Sequence, residues 1–159
     1  MITLSRIDDR LIHGQMVTKW LKVADANCCI VIDDGTAKDK FASQMCKMVA
    51  PRGVEVEVLN AQDAIKMIKD RKIETAADSH VVLLFKGPEA IENLVDGGVS
   101  IKKVILGGMG SAPGRKKFWK TIYVSEDDKE CMKRLINKGV DIVCQLIPEG
   151  IAVSAEKYL

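Results

Sequence analysis

Cys28-Cys29-Ile30-Val31-Ile32-Asp33-Asp34-Gly35 decides the fold: five apolar residues without a polar interruption, ending abruptly in two carboxylates and a glycine. A run without alternation marks a strand buried on both faces, as in a parallel sheet covered by helices. Val81-Val82-Leu83-Leu84-Phe85-Lys86-Gly87-Pro88 repeats the pattern, with Pro88 at the first position of a helix whose Ile91, Leu94 and Val95 face inward. Ile2-Thr3-Leu4-Ser5 reads as an opening strand, and Lys103–Leu106, Thr121–Val124 and Val140–Leu146 as later ones. Val54–Leu59 alternates strictly, which predicts a strand with one wetter face near a sheet edge. Helical stripes fall between the strands: Met16, Val17, Trp20, Leu21; Phe41, Met45, Met48, Val49; Ala61, Ala64, Ile65, Ile68. Thr36 with Asp39 and Ser125 with Asp128 have capping-box spacing, Asn60 caps a third helix, and Gly97-Gly98 and Gly139 end helices. The pattern predicts an α/β fold in one domain over residues 1–159, an open sheet of about seven strands with helices on both faces.

Composition narrows the function classes. The balance of 24 basic against 22 acidic side chains is too even for a nucleic-acid footprint or a membrane-binding patch. The five cysteines contain no C-x-x-C pair, so they predict core thiols in a reduced compartment rather than a zinc site or a disulfide framework. No signal peptide and no run of membrane-spanning length is visible, and a cytoplasmic location is expected.

In such sheets, sites form beyond the carboxyl ends of the strands. Three segments there carry chemistry. The first is Arg6-Ile7-Asp8-Asp9-Arg10-Leu11-Ile12-His13-Gly14-Gln15, read as a turn between the opening strand and its helix. Neutral imidazole is a nucleophile that can hold a phosphoryl group as a labile N–P bond, and His13 stands at a helix start whose free N–H groups favour an anion. Arg10 supplies a planar fork for phosphoryl oxygens, and the amides of Gly14 and Gln15 complete a cradle. Asp8 and Asp9 either orient the imidazole or cap the turn and pair with Arg6 and Arg10, and these readings stay open. With one histidine at hand and no partner ligand at helical spacing, no metal and no cofactor are expected.

The second segment is Lys86-Gly87-Pro88, where Lys86 is expected at the same crevice. The third is Gly107–Lys117, read as a flexible loop; Gly108 is a supporting candidate there, and Arg115-Lys116-Lys117 offers charge to a phosphate or an acidic partner. This loop matches neither G-x-x-x-x-G-K-[ST] nor G-x-G-x-x-G, which argues against a nucleotide enzyme. His80 lacks a neighbouring arginine and a helix start, so it reads as structural.

Residues 6–15 followed by Val17-Thr18-Lys19-Trp20 resemble the active-site signature of the IIB component of the mannose/fructose/sorbose family of the bacterial phosphoenolpyruvate-dependent sugar phosphotransferase system. Similarity extends through Ile32-Asp33-Asp34, Ala50–Val54, Leu83–Pro88, Gly97-Gly98-Val99 and Val104–Met109. The resemblance implies an open, mostly parallel mixed sheet and a sugar-specific phosphotransferase. His13 would be phosphorylated on Nδ1 by a IIA component and would pass the group to a sugar bound by the membrane components IIC and IID. It also implies that Arg10 holds the phosphoryl group, that the chain is of the free-standing type, and that it meets the membrane only through partners. The competing reading is a regulatory or ligand-binding module that binds a phosphorylated metabolite without being modified.

Overall fold

The computed structural model describes residues 1–159. Seven strands form the main sheet: β1 (Ile2–Asp8), β2 (Cys28–Ile32), β3 (Glu55–Leu59), β4 (Val81–Phe85), β5 (Lys103–Gly108), β8 (Asp141–Cys144) and β9 (Val153–Ser154). Their order is β3-β2-β4-β1-β5-β8-β9, parallel throughout except for β9, which closes one edge antiparallel to β8. β6 (Lys116–Trp119) and β7 (Ile122–Val124) form a separate antiparallel hairpin. The strand expected at 121–124 therefore exists but lies outside the sheet, and the seventh place is taken by Val153–Ser154, in a tail whose sequence carries little pattern.

Helices cover both faces. On one, α1, residues 14–23, lies with α3 (Lys40–Met48) over a core built on Trp20, Leu21, Val31, Cys46 and Leu84. On the other, α4 (Ala61–Asp70), α5 (Pro88–Asp96) and α6 (Glu126–Asn137) bury Ile68, Leu94 and Leu135 with the larger core. β2 and β4 are fully buried and β3 is the edge strand, as their apolar patterns predict. All five cysteines are free and buried.

Capping is as expected at Ser125, which exchanges both bonds of the capping box with Asp128, and at Asn60, which accepts from Asp63 N–H. The Thr36–Asp39 box is not formed. Asp33 caps the short α2 (Asp34–Lys38) and Asp39 caps α3, because both stand in extended backbone with a carboxylate over the following amides. The Phe41–Val49 stripe also departs from expectation: Cys46 is buried while Phe41, Met45, Met48 and Val49 are exposed.

The chain leaves β1 for the α1 face but leaves β4 and β5 for the opposite face. β1 lies between β4 and β5, so the connections diverge around its carboxyl end and open a crevice there.

Candidate active site

β1 runs three residues further than expected, through Arg6, Ile7 and Asp8. Alternation along the strand turns Ile7 into the larger core and puts Arg6 and Asp8 together on the α1 side. Both are buried, at 1% and 0% exposure. The strand continues because β5 meets it with Gly107 and Gly108, whose lack of side chains makes the room: a Cβ on Gly107 would fall inside the Arg6 guanidinium, and one on Gly108 would sit 2.7 Å from Asp8 Oδ1. The expected loop from Gly107 to Lys117 is shortened at both ends, since Gly107-Gly108 belong to β5 and Lys116-Lys117 to β6.

Asp8 is the hub. Its Oδ2 accepts from His13 Nε2 at 2.9 Å, while Arg10 donates from Nε to Oδ1 and from Nη2 to Oδ2, each at 3.1 Å. Arg6 Nη2 stands 3.6 Å from Oδ2 on the inner side. Burial works to raise the Asp8 carboxyl, but the hydrogen bonds and charges of Arg10 and His13 outweigh it and hold the group below its ordinary value. Asp8 is thus an anion, so the bond to His13 is donated by Nε2–H, and Nδ1 is left as the lone-pair nitrogen. The same bidentate grip leaves Arg10 Nη1 without a partner, on a side chain that is 56% exposed.

Arg6 braces the hub from inside. Its guanidinium donates to Gln145 O at 3.0 Å and Leu146 O at 3.1 Å and lies 4.3 Å from the Trp20 ring centroid. Burial lowers it to about 10, against the pull of Asp8, so it remains a cation at neutral pH.

The turn after β1 is fixed by local packing. Leu11 N–H donates to Asp8 O at 2.8 Å, and Leu11 takes φ +58°, a left-handed conformation unfavourable for a leucine. Burial of Leu11 and Ile12 in the smaller core holds it there. α1 then begins: His13 O accepts Val17 N–H at 3.0 Å, the Gly14 and Gln15 amides make no backbone hydrogen bond, and no protein atom would touch a Cβ on Gly14. Met16–Trp20 is π-helical, an irregularity common at functional sites.

Asp9, the neighbour of the hub, points elsewhere. Its Oδ2 accepts Gly110 N–H at 2.8 Å and Arg115 Nη1 at 3.1 Å, which pins the glycine-rich loop rather than orienting His13. Lys86 does not join His13; its Nζ lies 3.5 Å from Asp33 Oδ2 in an adjoining cleft. Arg6, Arg10, Gly108 and His13 are thus drawn together around Asp8, while Asp9 and Lys86 are not. Beside this cluster Arg10, Gln15, Gly108, Trp119 and Leu146 line a cleft of about 640 Å³. Trp20 is the contributor hardest to foresee, since its place at helical spacing signals only core.

The chain is similar to known proteins over nearly its whole length. Residues 2–159 match the family of the PTS system sorbose subfamily IIB component. The mannose-specific EIIAB component of Escherichia coli (strain K12) is 39% identical over 142 residues, 89% of this chain, and the chain spans 43% of that relative's length. The fructose-specific EIIB component of Bacillus subtilis (strain 168) is 35% identical over 92% of this chain and 88% of its own. The crystal structure of the IIBSor domain of the sorbose permease from Klebsiella pneumoniae superposes with a TM-score of 0.93 at 31% identity, covering 99% of this chain and 95% of that one. The chain belongs to the sorbose subfamily of PTS system IIB components.

Proposed function

We propose that His13 carries the phosphoryl group of this phosphocarrier on Nδ1, taking it from a IIA component and giving it to a sugar held by the membrane components IIC and IID. The observation that carries this reading is the bond from His13 Nε2 to buried Asp8, which commits one ring nitrogen and frees the other. In the first step the Nδ1 lone pair bonds to phosphorus as the donor's bond breaks. Positive charge developing on the ring is shared through Nε2–H with the Asp8 carboxylate. Arg10 Nη1 and the Gly14 and Gln15 amides neutralise the phosphoryl oxygens, which is most of what such a transfer requires. In the second step a sugar hydroxyl oxygen attacks phosphorus, the N–P electron pair returns to Nδ1, and the hydroxyl proton passes to water. No helix is long and apolar enough to cross a membrane; we place the chain in the cytoplasm, with IIC and IID as its membrane partners.

The test is incubation with phosphoenolpyruvate, the general phosphotransferase proteins and a IIA component, followed by measurement of acid-labile phosphate. Wild type is expected to carry one phosphoryl group, assigned to Nδ1 by nitrogen–phosphorus NMR coupling, and His13→Ala none. Phosphate retained by His13→Ala overturns the assignment. A module that only binds a phosphorylated metabolite would carry no acid-labile phosphate at all.

A further inference from the structure

We infer that the outer face of α3 is a contact surface for the anionic headgroup layer of a lipid bilayer. Phe41, Met45, Met48 and Val49 follow helical spacing, and all four are exposed, Phe41 by 75% and Met48 by 69%. Four of the eight exposed large apolar side chains of the protein thus lie on one nine-residue helix and its cap. The apolar stripe of α3 is wider than the sheet can cover: Cys46 is buried against the smaller core and the remainder faces out. Such a patch is on the order of 400 Å², within the range of a monomer's largest apolar patch, which is often functional.

Charge selects the occupant. Lys38, Lys40, Lys47 and Arg52 flank the stripe, are exposed, and form no ion pair. Within residues 38–52 the one carboxylate is Asp39, which accepts the α3 cap bonds; beyond it Asp33 pairs with Lys86 and Glu55 with Arg71, while Asp34 and Glu57 form no ion pair. An apolar helix face rimmed by unpaired cations suits phosphate headgroups above acyl chains. It suits a second copy poorly, because two α3 helices in contact would face lysines with lysines, and the patch falls below the roughly 800 Å² per partner of a standard interface. The overall charge balance conceals this feature, because it is local to residues 38–52. α3 shares its sheet face with α1, the helix that His13 opens, so a bilayer contact here would hold the phosphocarrier beside the membrane components.

The surface draws on the proposed function only for the need to work at a membrane, and its test reads no phosphoryl transfer, so either can fail alone. The whole chain is sedimented with protein-free vesicles of equal parts phosphatidylglycerol and phosphatidylethanolamine, and with vesicles of phosphatidylcholine. Binding is expected to the anionic vesicles, to weaken with added salt, and to fall to the phosphatidylcholine level in the double variant Phe41→Ser, Met48→Ser. These exposed positions leave the core intact, which an unchanged urea midpoint verifies; Lys40→Gln with Lys47→Gln provides a second variant expected to lose binding. Wild-type pelleting no better with anionic than with neutral vesicles overturns the proposal. So does a solution dimer that the serine variant dissociates, which would assign the face to a second copy.

Discussion

The protein has two histidines, and each touches an aspartate: His13 Nε2 lies 2.9 Å from Asp8 and His80 Nδ1 lies 3.1 Å from Asp25. The pairs sit at opposite ends of the parallel sheet, His13 beyond the carboxyl end of β1 and His80 just before the start of β4. Asp8 is wholly buried between two arginines, whereas Asp25 is 90% exposed with no side-chain partner but the histidine. Water screens the second pair, whose ring nitrogen is shared between the Asp25 carboxylate and the Asp25 backbone carbonyl; the first acts in a low-dielectric setting where direction persists. On the proposed reading, a histidine–aspartate contact becomes a reactive device when the carboxylate is itself held, and here Arg6, Gly107 and Gly108 do the holding.

The largest test makes the first pair resemble the second. Asp8→Asn removes the charge that fixes both His13 and Arg10, and transfer from IIA is expected to fall about ten-thousandfold, comparable to loss of an orienting carboxylate elsewhere. Stability should fall by about 3 kcal/mol, because Arg6 stays buried without a counter-charge. Rapid-quench transfer and urea unfolding read the two effects; a transfer rate near wild type would reduce Asp8 to a counter-ion. The pH dependence has a definite sign. The Asp8 carboxyl is held below its ordinary value of 3.8, so its stabilisation is complete above that value and is lost as pH falls through the lower folded value. Asp8→Asn should flatten this acid limb.

Arg10→Ala sharpens the division between orienting and binding groups. Transfer is expected to fall about a hundredfold through loss of phosphoryl neutralisation. Because the side chain is largely exposed, stability should change by less than about 1 kcal/mol. Rapid-quench rates and a urea midpoint again separate the two, and unchanged transfer would remove Arg10 from the site. Gly108→Ala tests the support: its Cβ would meet Asp8 Oδ1 at 2.7 Å and Cγ at 2.8 Å, and Asp8, gripped by Arg10 and backed by Arg6, has little freedom to yield. A shift of the hub should slow transfer about tenfold, and wild-type rates in this variant would show that the hub tolerates displacement.

How much of this was legible in the sequence depends on the strength of the local pattern. The uninterrupted runs of β2 and β4 announced a covered parallel sheet, and the alternating β3 announced its edge. His13, Arg10 and the helix start were visible because their chemistry is local. The hub was legible only in part: an orienting role for Asp8 or Asp9 was open, but the expected strand stopped at Ser5, and full burial of the charged Arg6 and Asp8 runs against the usual exposure of such side chains. Only the facing Gly107 and Gly108, a hundred residues away, make a buried arginine and aspartate possible there. Continued alternation through Ser5-Arg6-Ile7-Asp8 was the available signal separating Asp8 from Asp9. The place of Val153–Ser154 in the sheet was equally hidden, since a two-residue antiparallel edge carries no periodicity.

The smallest expected effect closes the comparison from its other side. His80→Ala should leave transfer unchanged and stability within about 1 kcal/mol, as for other exposed ion pairs. What anchors this corner is backbone: His80 N–H donates to Asn27 Oδ1, and His80 O accepts from Asn27 N–H and Cys28 N–H, all of which alanine retains. The imidazole adds contacts from Nδ1 to the Asp25 carboxylate and the Asp25 backbone carbonyl, in a solvent-facing bend where Asp25 turns through φ +48°. The complementary measurement uses His13→Ala, which still holds the His80–Asp25 pair and should accept no phosphate. Phosphate on His80 in that variant, or slowed transfer in His80→Ala, would mean that proximity to a carboxylate suffices, and that burial of Asp8 between its arginines is not what sets His13 apart.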